Sequence, residues 1–178
     1  MSKMLPSMLD GFALIPRFDE YGKPYTIILN TGEVKTPFPT TKIIDCHLRQ
    51  VGSSWKGAKE SAAYLLGSSS MFPFVVKVQP FINVWFPSES PRKDTCVYFA
   101  LHKIGDIEDG GDFTIVHEKG NCSVIIPVPS SKFETRYNQA LKYLALNYLS
   151  QFLYPISSPT GEQRKILNCA ELHGEYKY

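Results

Sequence analysis

A chain of 178 residues, 43% of them hydrophobic, 20% charged and 13% aromatic, has the length of one ordinary domain and enough apolar surface to offset the entropy lost on folding. A disordered chain is excluded by that balance, and apolar stretches broken at Lys77, Gln79, Lys142 and Asn147 fall short of the ~20 residues that span a bilayer. The net charge of +2 hides an uneven distribution, because Lys35 to Lys103 carries nine Lys/Arg against four Asp/Glu, an excess that suits a nucleic-acid partner.

At the N-terminus, Lys3 is followed by Pro6 and Asp10 rather than by an apolar run, so a secretory signal is not expected and the protein is expected to be cytoplasmic. Cys46, Cys96, Cys122 and Cys169 form no C-x-x-C pair. With His47, His102, His117 and His173 they show no zinc spacing, so they read as reduced thiols, and no metal or cofactor is expected.

The region from Phe12 to Phe18 alternates loosely, and after the turn-rich Glu20 to Pro24 the β-favouring Tyr25 to Leu29 completes a hairpin. Asn30-Thr31-Gly32 marks another turn. Pro37 and Pro39 then keep the backbone extended until Thr40 or Thr41 caps a helix from Lys42 to Gln50, with Ile44, Leu48 and Val51 on one side. Gly52-Ser53-Ser54 breaks that helix, and Ser53 or Ser54 caps a second one from Trp55 to about Leu66, ended by Gly67. Trp55, Ala58, Ala62 and Leu65 or Leu66 share its inner face, which leaves Lys56, Lys59 and Glu60 outside.

Five β-rich runs follow: Phe74 to Val78, Phe81 to Phe86, Thr95 to Ile104, Phe113 to His117 and Cys122 to Val128. No helix separates them, which predicts an antiparallel arrangement. Asp106, Glu108, Asp109 and Asp112 read as a solvated acidic loop. After Pro129, Ser130 or Ser131 caps a long helix from Lys132 to about Leu153, striped by Phe133, Tyr137, Leu141, Leu144, Tyr148 and Phe152. Pro155 starts a polar tail, and no internal repeat is evident. The predicted fold is α+β, an antiparallel β-sheet with two short helices before the main strand run and one long helix after it. Residues 1–155 form one domain in this reading, and 156–178 a C-terminal tail that is partly disordered.

Asp45-Cys46-His47 projects three reactive groups about 100° apart around a helix, so they cannot meet as nucleophile and base. Gly52-Ser53-Ser54 lacks the strand-to-helix elbow of a serine nucleophile. Gly110-Gly111-Asp112-Phe113 resembles part of a nucleotide-cyclase hairpin, yet reads as a turn in so short a chain. An enzyme is therefore not expected. More informative is the run Gly52 to Lys59, where hydroxyls and amides at a helix start sit beside Lys56 and Lys59 and suit a phosphate. Arg92-Lys93, in a Ser/Pro-rich loop, suits a narrow A·T-rich minor groove. The candidate DNA contacts are Arg49, Ser53, Ser54, Lys56, Lys59, Arg92 and Lys93. A helix-turn-helix in the major groove and a protein-binding module without DNA affinity are the competing readings.

Ile44-Asp45 followed by Gly52-Ser53-Ser54-Trp55-Lys56-Gly57-Ala58-Lys59 resembles the glycine-serine-serine-aromatic stretch of the competence transcription factor (ComK) family. Phe86-Pro87, the loop with Ser90 and Lys93, Cys96, Tyr98, Ile126-Pro127 and the helix with Phe133-Glu134 and Tyr137 continue the resemblance in order, from about Gly11 to Phe152. Ala58 departs from the pattern, where a basic residue is expected. The resemblance implies a DNA-binding activator of competence genes that recognises A·T-rich boxes through the minor groove of double-stranded DNA and assembles as a homo-oligomer at the nucleoid. It also implies delivery by an adaptor protein to a Clp protease.

Overall fold

The computed structural model describes residues 7–67, 70–77 and 81–153. The expected C-terminal tail, residues 156–178, lies outside them. As the alternation predicts, β1 (Ala13–Phe18) and β2 (Pro24–Leu29) form a hairpin with Ala13 opposite Leu29 and Phe18 opposite Pro24. Asp19 builds the turn, its carboxylate accepting the amides of Tyr21 and Lys23 at 3.0 and 2.8 Å. A strand that the sequence did not suggest, β3 (Glu33–Thr36), then pairs with β2 at the sheet edge.

Helix α1 (Thr40–Gln50) begins two residues before the expected start, and no threonine side chain caps it. The Pro39 carbonyl takes the amides of Lys42 and Ile43 at 3.0 and 3.3 Å instead. Helix α2 (Trp55–Leu66) matches the expected bounds: Ser54 is its cap, and Gly67 ends it at φ 72°, where a Cβ would be strained.

Strands β4 (Phe74–Lys77), β5 (Asn83–Pro87) and β6 (Tyr98–Ala100) complete a six-stranded antiparallel sheet in the order β3-β2-β1-β6-β5-β4. The expected run from Thr95 to Ile104 is broken, because a one-turn 3-10 helix, Leu101–Lys103, redirects the chain. Strands β7 (Ile104–Asp109), β8 (Thr114–Glu118) and β9 (Ser123–Ile126) then form a second antiparallel sheet. Lys103 ties this corner together: its ammonium contacts the Asp10 carbonyl and lies 3.4 Å from Asn30 Oδ1 and 3.6 Å from Glu118. Three members of the expected acidic loop, Asp106, Glu108 and Asp109, lie on β7 instead. The turn after it needs Gly110, since a Cβ there would sit 2.2 Å from the Phe113 ring.

Helix α3 (Ser130–Leu153) closes the domain. Successive strand residues face opposite sides of a sheet, so Tyr98 and Phe99 build separate aromatic layers. Phe99 and Phe86 pack on Phe133 of α3 at centroid distances of 5.4 and 5.6 Å. Tyr98 joins Phe74, Phe72 and Trp55 of α2, with ring centroids 5.1 to 6.5 Å apart. Each fully buried aromatic contributes about 2–3 kcal/mol, so these two layers fix both helices against the sheet.

The fold also contains a repeat that the sequence reading did not find. Strands β1-β2-β3 leading into α1 and strands β7-β8-β9 leading into α3 are both antiparallel meanders followed by a helix. Thr26 pairs with Thr36, the last residue of β3, and Thr114 pairs with Ile126, the last residue of β9. Both threonines are fully buried. Thr26 Oγ1 donates to the Phe38 carbonyl at 2.8 Å, and Thr114 Oγ1 donates to the Val128 carbonyl at 2.6 Å. Each carbonyl sits in a matching segment, Pro37-Phe38-Pro39-Thr40-Thr41-Lys42 and Pro127-Val128-Pro129-Ser130-Ser131-Lys132. A six-residue match is too short to stand out by eye, whereas register and buried hydrogen bonds expose it.

Candidate nucleic-acid interface

The link between α1 and α2 turns at Gly52, with φ 75°. Ser54 then caps α2, its Oγ accepting the Gly57 amide at 3.1 Å. Ser53 points elsewhere: it lines a separate cleft with Ala58, Ser61 and Tyr143. The start of α2 already carries an anion from within the chain, since Asp45 Oδ1 accepts the Trp55 amide at 3.3 Å. Arg49, on the last turn of α1, gives its Nε–H to the same carboxylate at 2.7 Å. That bond and the Trp55 amide hold the Asp45 carboxyl below the usual carboxylate range.

Beyond this start, α2 forms one wall of a groove of about 500 Å³ lined by Trp55, Lys59, Met71, Phe72, Pro91 and Arg92, among others. Lys59 comes from α2 and Arg92 from the loop between β5 and β6, so the groove unites two cations 33 positions apart. Lys56 is exposed one turn earlier and lies 3.8 Å from Glu60, a loose surface pair. The apolar floor and cationic walls suit a polyanion that also presents flat or apolar surface.

The loop is anchored by buried acid. Glu89 is 4% exposed, contacts the Thr95 hydroxyl and pairs with Lys93 at 2.6 Å. Ser88 Oγ accepts the Val97 amide at 3.0 Å, and the Cys96 thiol donates to the Glu89 carbonyl at 3.3 Å. Lys93 is thus partly neutralised, while Arg92 beside it stays exposed. Behind the opposite wall, Arg136 of α3 contacts Met71 Sδ, and burial lowers the pKa of its guanidinium. Met71 adopts φ 50°, a conformation that costs a non-glycine residue roughly 1–2 kcal/mol. The structure therefore brings Lys59 and Arg92 together, leaves Lys56 free nearby, commits Arg49 to Asp45 and Lys93 to Glu89, and uses Ser54 as a cap.

Sequence reasoning missed Asp45, Glu89, Met71 and Arg136. The Glu89–Lys93 pair had a readable signal in its four-residue spacing, but Asp45 reaches Trp55 only through the tertiary turn. The reactive-looking Asp45-Cys46-His47 run separates as expected: His47 is buried, with Nδ1–H donating to the Ile43 carbonyl and Nε2 accepting the Met8 amide at 3.2 Å. On the open face of the smaller sheet, Ser123 Oγ lies 2.7 Å from His117 Nδ1 and Glu108 lies 3.2 Å from Nε2. That row reverses the nitrogen roles of a catalytic triad.

The fold defines a small α+β protein of two antiparallel sheets, and its most extensive cationic surface is an aromatic-floored groove. The family model of the ComK protein matches residues 10–151. The chain belongs to the ComK family, a family of competence transcription factors rather than of enzymes. No curated protein and no solved structure matches it. Among the described residues, no helix is long and apolar enough to cross a membrane.

Proposed function

We propose that this chain is a DNA-binding activator of competence genes that recognises A·T-rich promoter boxes through the minor groove. The observation that carries the reading is the convergence of Lys59 and Arg92 on one groove beside the exposed Lys56. An arginine at a loop tip suits the negative potential of a narrow minor groove, and lysines on a helix suit its flanking phosphates. A helix-turn-helix reading uses α2 less well, because Ala58 and Ala62 are buried and Glu60 stands between the two exposed lysines. The partner is double-stranded DNA, bound by a single domain of residues 1–155 in more than one copy at the nucleoid. Recognition by an adaptor for a Clp protease belongs to the same family reading.

Fluorescence anisotropy with an A·T-box duplex and a G·C-rich duplex of equal length, at two salt concentrations, tests this. Tighter, salt-sensitive binding to the A·T duplex is expected. Lys59→Ala and Arg92→Ala should each weaken binding, and loss of one phosphate contact should lower the salt slope by about 0.9. Binding of neither duplex at low salt would leave a protein-binding regulator as the better reading.

A further inference from the structure

The three helix starts of this fold are not equivalent. At α2 the Asp45 carboxylate takes the Trp55 amide. At α3 the Asp109 carboxylate accepts from the Ser130 side chain and from the Gly111 amide. Each of these starts therefore has its own anion, as the exposed amides and dipole of a helix N-terminus favour.

Helix α1 differs. It has no side-chain cap, and the Pro39 carbonyl is bonded to Lys42 and Ile43, so the amides of Thr40 and Thr41 have no partner among the described residues. In the repeat, the residue opposite Thr114 is Asp109, whereas the residue opposite Thr26 is Pro16. The first unit has a proline where the second has its internal anion. Beside that proline lies a cleft of about 160 Å³, lined by Arg17, Thr40, Thr41, Lys93 and Tyr98 among others. Tyr98 is 2% exposed, and its hydroxyl has no hydrogen-bond partner. The nearby Cys96 thiol gives its own proton to the Glu89 carbonyl. A buried donor left unpaired is costly, and here it belongs to a residue of the cleft wall. Asp94 also lines the cleft, and Glu89 offsets Lys93, so Arg17, the free amides and the Tyr98 hydroxyl supply the net attraction.

We propose that this cleft is a second phosphate site, which holds a backbone phosphodiester of bound duplex through Arg17, the Thr40 and Thr41 amides and the Tyr98 hydroxyl. The inference rests on the DNA-binding reading above and extends it. Pro91 lines both this cleft and the groove of Lys59 and Arg92, so the β5–β6 loop stands between them. Arg92 enters the minor groove from that loop while phosphates bordering the groove are gripped on either side.

Thr41→Asp and Tyr98→Phe test it without disturbing the fold. Aspartate in the first turn favours the helix dipole, and phenylalanine removes an unsatisfied hydroxyl, so neither should lower the melting temperature. Both should nevertheless weaken binding to the A·T duplex, Thr41→Asp by about tenfold, as loss of a charge-assisted contact does. Arg17→Ala should also reduce the salt slope by about 0.9. If Lys59→Ala and Arg92→Ala weaken binding while Thr41→Asp and Tyr98→Phe bind like the parent, the second site is wrong and the DNA reading stands. If the parent protein binds no duplex, both fall together. A third arm adds inorganic phosphate to thermal melts. Stabilisation of the parent but not of Thr41→Asp, with duplex affinity indifferent to both substitutions, assigns the cleft to a free anion and overturns the proposal.

Discussion

Lys93 Nζ lies 2.6 Å from a carboxylate oxygen of Glu89, whose side chain is only 5% exposed, while that of Lys93 is 63% exposed. A buried carboxylate that loses its cation keeps its desolvation cost without the compensating attraction. Lys93→Met should therefore destabilise the protein by about 1–2 kcal/mol, less than a fully buried pair because solvent screens one partner. The double substitution Lys93→Met with Glu89→Gln should recover part of that loss. Urea unfolding of the parent, both single variants and the double variant measures the coupling, and additive effects would show that the pair does not hold the loop.

Asp45 links stability to acid and also sets the charge at the start of α2. Its carboxyl is held below the usual range first by the Arg49 hydrogen bond, against a smaller opposing effect of burial. A lowered folded-state pKa means that the stabilisation is fully present above the unfolded value of about 3.9 and disappears as pH falls through the folded value. Asp45→Asn should flatten the acid limb of the stability profile. It also removes an anion from α2 and frees Arg49, so duplex affinity should rise with a steeper salt dependence. A variant that binds duplex no more tightly than the parent would show that Asp45 does not compete with DNA.

Burial governs the thiols in the same way. The Cys96 thiol is pushed up to about 11, chiefly by loss of water around it, and the thiolate is the reactive form. Cys46, part-exposed on α1, should react with a maleimide at pH 8 in the native protein, while Cys96 reacts only in denaturant. Peptide mapping after timed labelling distinguishes the two, and equal native rates would mean that the β5–β6 loop opens readily.

The legible parts of this fold are those decided locally. Ser54, Gly67 and the apolar spacing of Trp55, Ala58 and Ala62 fix α2 from sequence alone, since capping and periodicity act within a few residues. Strand β3 was hidden because three of its four residues are exposed, so it has no apolar face to announce it. The break after Ala100 was hidden for the opposite reason. Phe99, Leu101 and Ile104 are all buried and read as one continuous strand, and the change of sheet depends on where Lys103 finds its partners. Site residues followed the same division: Lys59 and Arg92 were visible as charges, but their meeting depends on the strand order that returns β5 and β6 beside α2.

The repeated threonines offer a test of whether the two units are equivalent in energy as well as in geometry. Thr26 and Thr114 each hold a carbonyl two residues beyond the strand they pair with, and both sites are sealed from water. Replacement by valine keeps the branched shape but removes the donor, so each substitution should cost about 1–2 kcal/mol. Thr26 has a second role, because its hydroxyl lies 3.0 Å from that of Thr40 on the first turn of α1. Thr26→Val strands both the Phe38 carbonyl and the Thr40 hydroxyl, so it should cost more than Thr114→Val. Serine at either position retains the donor and should restore part of the loss. Thermal and urea unfolding of the four variants checks the ranking, and a larger loss at Thr114 than at Thr26 would rule out the shared hydroxyl as a stabilising contact. Because Thr40 also supplies an amide to the proposed phosphate cleft, Thr26→Val should lower duplex affinity as well, whereas Thr114→Val, in the unit that carries Asp109, should leave it unchanged.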